Sequence, residues 1–172
     1  ISNDLRLHEP ILSPKGNKIK KVMEIIQERL KTNTKIVVYS EWIKFLDLIE
    51  IELKKHNIGY IHYNGSFNAK KRNVLINSFL EDENKKIMLS TDSGGVGLDG
   101  LQLVSKTIIH LEAVWNPAKI DQRNGRLVRL LNPYPEVEIH KIYTKGSIET
   151  ESMSNSSVRK TDLREMILSV WK

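Results

Sequence analysis

Length, composition and charge set the first limits on this chain. Its 172 residues suffice for one domain, or for one domain with a tail, and 40% hydrophobic residues are enough for a core. The absence of cysteine excludes disulfides and thiolate metal sites, and no apolar stretch is long enough to span a membrane, so we expect no membrane partner. A net charge of +6 favours nucleic-acid partners, with a lysine-rich solvated surface as the alternative. The chain begins without Met and shows no signal-peptide pattern, so we expect a piece of a longer intracellular, cytoplasmic protein.

Helical and strand patterns alternate along the chain. After a polar lead-in over residues 1–17, the sequence predicts helices at 18–30, 42–53, 68–80 and from 116 onward, and strands at 35–40, 58–63, 87–90, 107–111 and 137–143. Such alternation predicts an α/β fold, with a mostly parallel sheet and helices on both faces, over residues 18–150. Residues 151–172 are predicted to form a helical tail.

A glycine-rich run over residues 90–100 follows the third predicted strand. Ligands of parallel sheets lie at the carboxyl ends of the strands, and glycines let the backbone approach a phosphate or a sugar closely. Asp99, near the end of the run, can accept hydrogen bonds from ribose hydroxyls, and Thr91 can donate to a phosphate. The alternative is an ordinary strand-to-helix loop, since isolated glycine motifs are weak evidence.

The pattern Q-x-x-G-R-x-x-R is the most informative motif. Gln122, Arg126 and Arg129 stand at i, i+4 and i+7 and share one face if the segment is helical, while apolar side chains occupy the opposite face. A planar, permanently charged guanidinium suits the stabilisation of a phosphoryl group in transfer. The alternative is a solvated helix face. No phosphate-cradling G-x-x-x-x-G-K-[ST] motif accompanies it.

The remaining polar and aromatic residues carry weaker signals. The five histidines are scattered without an H-x-x-x-H pair, so we predict no metal site. Trp42 and Trp115 could stack on bases. We prefer the interpretation that they pack in the core or between this unit and a neighbouring one.

The motifs together resemble the Swi/Snf-type DNA translocases of helicase superfamily 2. Residues 35–42 (Lys-Ile-Val-Val-Tyr-Ser-Glu-Trp) resemble motif IV of that family, and 63–66 (Tyr-Asn-Gly-Ser) resemble its following turn. Residues 90–99 resemble motif V, 115–117 (Trp-Asn-Pro) the tripeptide before motif VI, and 122–129 motif VI itself. The motifs occur in family order and cover most of the chain.

The resemblance implies a RecA-like three-layer fold and the second of two motor lobes. In that family an N-terminal RecA-like lobe supplies most of the contacts to ATP and Mg²⁺. The second lobe closes over the nucleotide and supplies arginine fingers. By position, Arg126 and Arg129 would contact the terminal phosphates, Arg129 as the finger, and Gln122 would organise the cleft. The positions implied beside the nucleotide are Gly95, Gly97 and Asp99.

The resemblance also implies a grip on double-stranded DNA. The positions that would hold phosphates of the tracked strand are Ser40, Gly65, Ser66 and Thr91. Lys70 and Arg72 are additional candidate phosphate contacts, with a solvated helix face as the alternative. This chain alone would then hydrolyse essentially no ATP.

Departures from the family pattern leave some alternatives open. Leu-Leu-Asn-Pro follows the last motif VI arginine where the family has Ile-Gly-Gln, and the turn reads Asn-Gly-Ser rather than Asp-Gly-Ser. These departures and the richness in Lys, Ile and Asn suggest a bacterial or viral member, nucleoid-associated if bacterial. A DEAD-box-like RNA helicase lobe and a non-catalytic nucleic-acid-binding module are the alternative functions.

Overall fold

A computed structural model describes residues 16–91, 99–112, 117–130, 132–142 and 156–159, the last four as backbone only. The helices in chain order are α1 (Asn17–Leu30), α2 (Ile43–Lys55), α3 (Ala69–Glu81), α4 (Leu101–Val104) and α5 (Pro117–Asn124). The strands are β1 (Lys35–Tyr39), β2 (Tyr60–Tyr63), β3 (Ile87–Ser90), β4 (Ser105–His110), β5 (Glu136–Lys141) and β6 (Ser156–Arg159). No helix among these residues is long and apolar enough to cross a bilayer.

One six-stranded sheet organises the described residues, in the order β2-β3-β1-β4-β5-β6. β1 to β5 pair in parallel, and β6 pairs antiparallel with β5. The structure therefore confirms the predicted α/β class and the mostly parallel sheet. The chain runs from β1 to β2 and β3 on one side, then crosses to β4 on the other side, so the strand order reverses between β1 and β4.

Two apolar clusters cover the two faces of the sheet. One joins α1 and α2 to alternate strand residues such as Ile36, Val38 and Ile109. The other joins α3 and α4 to the intervening residues, including Val37 and Ile108. Central strands buried on both faces read as continuous β-branched runs, which is why β1 and β4 are recognisable in the sequence.

Both ends of α3 are satisfied by specific side chains. Asn68, where the sequence predicts this helix to begin, caps its start by accepting from the backbone N–H of Lys71 at 2.8 Å. At the other end the Lys35 ammonium donates to the carbonyls of Phe79 and, at 2.8 Å, Asp82. Burial lowers the pKa of Lys35. This cation therefore complements the negative end of the helix dipole inside the protein.

Three sequence expectations differ from the structure. The helix that opens at Pro117 ends at Asn124, so Arg126 and Arg129 follow it in turns rather than sharing a helical face with Gln122. Gly125 has a low helix propensity, and the N–H groups of Arg126 and Leu127 bond carbonyls three residues back. Within the predicted helical tail, residues 156–159 form strand β6, because β5 offers them an open edge. Trp42 is 54% exposed, which removes it from the core.

Candidate functional site

The carboxyl ends of the parallel strands bring most of the predicted site residues to one edge of the sheet. Ser40 follows β1, the turn at Gly65 and Ser66 follows β2, and Thr91 follows β3. The crevice at the reversal between β1 and β4 is where ligands of such sheets bind. The loop after β4 leads into α5 and the arginine motif, so the same edge receives both sets of candidates.

The arginine turn, residues 125–129, is a compact structure rather than a helix. Its N–H groups at Arg126, Leu127 and Val128 donate to the carbonyls of Arg123 and Asn124 at 2.9 to 3.2 Å. Leu127 is fully buried and anchors the turn in the core. The turn thereby presents its arginines at the surface from a fixed backbone.

Arg129 is partly exposed and lies against Asp99. Its Nη1 atom is 2.8 Å from Asp99 Oδ1, and its Nε donates to the Gly125 carbonyl at 3.0 Å. The Asp99 side chain is 83% exposed, so the pair is a surface ion pair worth only about 0.2–1 kcal/mol. Two residues assigned to the nucleotide by resemblance thus contact one another, through an interaction that a stronger anion can replace.

Arg126 and Arg72 converge on a buried tyrosine. Tyr63, at the end of β2, accepts a hydrogen bond from Arg72, and Arg126 lies close enough to act on it electrostatically. Burial raises the pKa of the Tyr63 hydroxyl, against the effect of the two arginines. The structure therefore brings Arg126, a predicted contact of the terminal phosphates, near Arg72, a predicted nucleic-acid contact, which links the two halves of the site.

A buried cluster lies beneath the arginine turn. His110 and Arg123 are 1% and 3% exposed. The His110 ring stacks on Tyr39, with 6.0 Å between centroids, and the Arg123 guanidinium lies 5.3 Å from the centre of the same tyrosine ring. Arg123 Nη1 is 3.3 Å from His110 Nδ1, and Asn124 Oδ1 is 2.9 Å from His110 Nε2. These contacts join the end of α5 to β1 and β4.

A buried carboxylate ties the loop after β1 to the end of β4. Glu112 accepts from the Ser40 hydroxyl at 2.9 Å and from the Glu41 N–H at 2.6 Å. Glu41 in turn pairs with Lys119 of α5 at 2.8 Å. Burial raises the pKa of Glu112, although these hydrogen bonds and Arg123 oppose that effect. The Ser40 side chain, predicted to grip DNA, is fully buried in this network.

The raised pKa of Glu112 predicts a pH effect on stability. Folding favours the protonated form of Glu112. Its contribution to the free energy of unfolding is therefore complete below the ordinary carboxyl pKa of 4.5, and it is lost as pH rises through the raised pKa of the folded state. Glu112→Gln stays neutral, so the wild type should lose unfolding free energy relative to this variant as pH rises. Thermal unfolding of both proteins from about pH 2 to about pH 8 measures the difference.

Glu50 offers a control of opposite sign for that experiment. Burial raises its pKa, but hydrogen bonds from Lys54, Tyr60 and His62 outweigh burial and lower the pKa overall. Its contribution is therefore present above 4.5 and lost as pH falls through the lowered value. A flat difference between wild type and Glu112→Gln, or the same trend for Glu112→Gln and Glu50→Gln, would contradict the assignment.

The other predicted site residues lie as follows. Ser66 is exposed, and its N–H donates to the Asn64 side chain at 3.0 Å in a local turn beside Gly65. Lys70 is exposed at the start of α3, whereas Thr91 is buried. Gln122 is exposed on α5. Gly95 and Gly97, together with Trp115, lie outside the described residues.

One group on α2 and β2 has the composition of a metal site. Asp47, Glu50 and His62 bring potential ligand atoms within 4.8 Å of one another. Glu50 already accepts from Lys54 at 2.6 Å, Tyr60 at 2.8 Å and His62. A lysine ammonium thus already balances the charge of this carboxylate, and the group is explained as a hydrogen-bonded surface network.

Sequence reasoning did not find the buried cluster of His110 and Arg123 or the role of Glu112. The available signal was the placement of two polar residues, His110 and Glu112, after the apolar pair Ile108 and Ile109, at and just beyond the end of β4. Arg123 gave no signal, because nothing in the spacing of α5 distinguishes a buried arginine from an exposed one.

Comparison with known proteins gives the family. Residues 17–130 match the model described as the helicase conserved C-terminal domain. The chain is 31% identical over 152 residues to the ATP-dependent helicase ULS1 of Saccharomyces cerevisiae, which covers 86% of this chain and 9% of that protein. It is 30% identical over 146 residues to the DNA repair protein RAD5A of Arabidopsis thaliana, covering 84% of this chain and 14% of that protein. The chain spans 9% to 15% of the length of the curated relatives it matches.

These relatives do not support the expected bacterial or viral origin. Most are eukaryotic, from yeasts, Arabidopsis and Drosophila, although two Mycoplasma helicases also match. The expectation rested on residue usage and on local departures within motifs, and neither carries lineage by itself.

Solved structures agree on the fold. The C-terminal part of the Fun30 ATPase domain superposes with a TM-score of 0.71 at 20% identity, covering 99% of this chain and 55% of that one, which confirms the RecA-like fold. The Sulfolobus solfataricus SWI2/SNF2 ATPase core in complex with dsDNA superposes with a TM-score of 0.66 at 28% identity, covering 80% of this chain and 29% of that one. The chain therefore belongs to the helicase conserved C-terminal domain family and is of the Swi2/Snf2 type.

Proposed function

We propose that this chain is the second motor lobe of an ATP-driven double-stranded-DNA translocase. The observation that carries the proposal is the arginine turn, which holds Arg129 partly exposed at the carboxyl edge of the sheet, against the weakly paired Asp99. A family match and a Swi2/Snf2 relative solved with dsDNA support the choice of class. We also propose that the protein is intracellular and cytoplasmic.

The chemistry of the edge fits a nucleoside triphosphate bound mainly by another lobe. ATP with Mg²⁺ supplies the phosphoryl group to be transferred. Arg129 and Arg126 offer guanidinium forks that match phosphate oxygens, and the exposed Asp99 carboxylate can accept from a ribose hydroxyl. Arg129 gives up little by leaving Asp99, because exposed ion pairs are weak. Gln122, exposed on α5, faces solvent where a partner lobe would close.

The neighbouring turns fit a nucleic-acid backbone. Ser66 is exposed in the turn after β2, and exposed Lys70 brings a cation to the positive start of α3. Arg72 joins this surface to the arginine turn through Tyr63. Ser40 and Thr91 are buried, and their N–H groups already donate to the Ser90 and Tyr63 carbonyls, so a phosphate would meet them only after a local rearrangement. Movement of these DNA-contacting residues relative to a first lobe would advance the protein along one DNA strand.

The proposed function is tested by ATP hydrolysis. The protein that carries both lobes is assayed with duplex DNA, single-stranded DNA and RNA, beside this chain alone. Stimulation by duplex DNA, with no turnover by the isolated chain, supports the proposal. Preferential stimulation by RNA would indicate an RNA helicase instead, and no stimulation by any nucleic acid would indicate a non-catalytic binding module.

Lys70→Ala is expected to weaken binding to duplex DNA of any sequence. A lysine that neutralises one phosphate releases about one counterion, so the slope of log affinity against log salt should fall by about 1. Binding of the two-lobe protein to labelled duplex DNA over a salt series measures this slope. Lys20→Ala, an exposed lysine of α1 on the other face of the sheet, is the control and should keep the wild-type slope. An unchanged slope for Lys70→Ala would place this lysine on a solvated face only.

A further inference from the structure

We infer that His110 is a positioning residue for the arginine turn, holding it as a neutral imidazole that links Arg123 and Asn124. The inference rests on the proposed function for its catalytic consequence, and on the geometry of the buried cluster for its structural part. Neither the motifs nor the family match assigns a role to His110 or Arg123.

The partners of His110 determine its protonation state. A guanidinium has only donors, so His110 Nδ1 must accept from Arg123 Nη1 across 3.3 Å. The remaining proton then lies on Nε2, which donates to Asn124 Oδ1 at 2.9 Å. A doubly protonated ring would place two N–H groups, and a second cation, against Arg123. The neutral form with the proton on Nε2 is the state that satisfies both contacts.

The residues that His110 holds are the ones that build the arginine turn. The carbonyl of Arg123 accepts the N–H of Arg126, and the carbonyl of Asn124 accepts those of Leu127 and Val128. Fixing the side chains of Arg123 and Asn124 therefore fixes the two carbonyls that shape the turn. Two residues, His110 and Arg123, thus connect β4 to the backbone of Arg126.

The cluster is rigidly mounted on the sheet. His110 and Tyr39 are register partners on adjacent strands, and their rings stack with 19° between planes. Arg123 lies over the same tyrosine ring and is nearly inaccessible to solvent. Removing the acceptor at His110 Nδ1 would deprive a buried guanidinium of a hydrogen bond. Because an unsatisfied buried donor is costly, we expect the end of α5 to move.

The test replaces His110 in the protein that carries both lobes. His110→Phe keeps an aromatic ring against Tyr39 but lacks both nitrogens, so we expect kcat of the DNA-stimulated ATPase to fall up to about 100-fold with little change in KM for ATP. His110→Asn, which restores an uncharged acceptor and a donor, should recover part of kcat. Asn124→Ala, which removes one contact at a less buried position, should lower kcat, and the double variant should be no worse than His110→Phe alone.

His140→Phe is the matched control. His140 is a buried histidine of β5 on the other face of the sheet, where it contacts Glu138. This variant should lower thermal stability but leave kcat unchanged at temperatures where it is folded. Wild-type kcat in folded His110→Phe, or an equal loss in His140→Phe, would overturn the positioning role.

A spectrum separates this inference from the proposed function. Long-range ¹H–¹⁵N correlations of the imidazole rings in this chain should show His110 protonated at Nε2 and not at Nδ1. Protonation at Nδ1 would overturn the hydrogen-bond assignment whatever the ATPase result. Absence of DNA-stimulated turnover in the wild type would overturn the proposed function, and with it the catalytic consequence, while the spectrum still decides the linkage.

Discussion

Replacing Arg129 by alanine is expected to abolish ATP turnover in the two-lobe protein while sparing most DNA binding. An arginine finger brought to a transferring phosphoryl group is worth roughly 10³ to 10⁵ in rate in related phosphoryl-transfer enzymes. Stability should barely change, because the variant loses only a hydrogen bond to Gly125 and an exposed pair with Asp99. Steady-state ATPase with saturating duplex DNA, together with DNA affinity without nucleotide, measures the two properties.

Arg29 supplies the control for that measurement. It also pairs with a carboxylate, Glu138, at 2.7 Å, but it lies on α1 at the other face of the sheet. Arg29→Ala should keep DNA-stimulated turnover. Retained ATPase activity in Arg129→Ala would contradict the assignment of Arg129 as the arginine finger. Arg126→Ala would then be the next variant to measure. Equal losses in Arg129→Ala and Arg29→Ala would point to unfolding rather than to chemistry.

Replacing Gly59 by alanine is expected to give a large loss of stability from a single methyl group. A Cβ at this position would lie 1.8 Å from the backbone oxygen of Asn84. Relief by movement is costly, since the Gly59 carbonyl accepts the N–H groups of Lys86 and Ile87 where β2 meets β3. Overpacking with lost hydrogen bonds should cost about 2–4 kcal/mol in unfolding free energy. Denaturant unfolding of the isolated chain measures it.

The clash at Gly59 involves backbone, which gives a sharp control. Asn84→Ala removes an exposed side chain and leaves the carbonyl in place, so it should be close to neutral by itself. It should also fail to rescue Gly59→Ala. A double variant with wild-type stability, or Gly59→Ala that unfolds like the wild type, would contradict the close approach of the two backbones.

Much of the fold was predictable from local patterns. β3 has the predicted bounds, and β1, β2, β4 and β5 differ from prediction by one or two residues at their ends. Buried parallel strands are continuous β-branched runs, and Asn68 and Pro117 mark helix starts with chemistry that works locally. The site edge followed from topology, because candidate residues came directly after strands that had to be parallel.

The arginine motif shows where local reasoning stopped. Its spacing indicated one helical face, but the structure ends α5 at Asn124 and presents Arg126 and Arg129 from turns. Periodicity describes positions on a helix and cannot tell whether the helix continues. Here Gly125 disfavours continuation of the helix. The burial of Leu127 and the contacts of His110 stabilise a turn instead.

The sequence by itself determined the fold class, the order of the motifs and the family, because these depend on residue types and spacings along the chain. Only the tertiary structure decided which polar groups meet. The contacting pairs are far apart in sequence: 13 residues separate His110 from Arg123, 72 separate Ser40 from Glu112, and 30 separate Asp99 from Arg129. Such contacts arise when parallel strands and their loops are brought to one edge, and no local propensity encodes them.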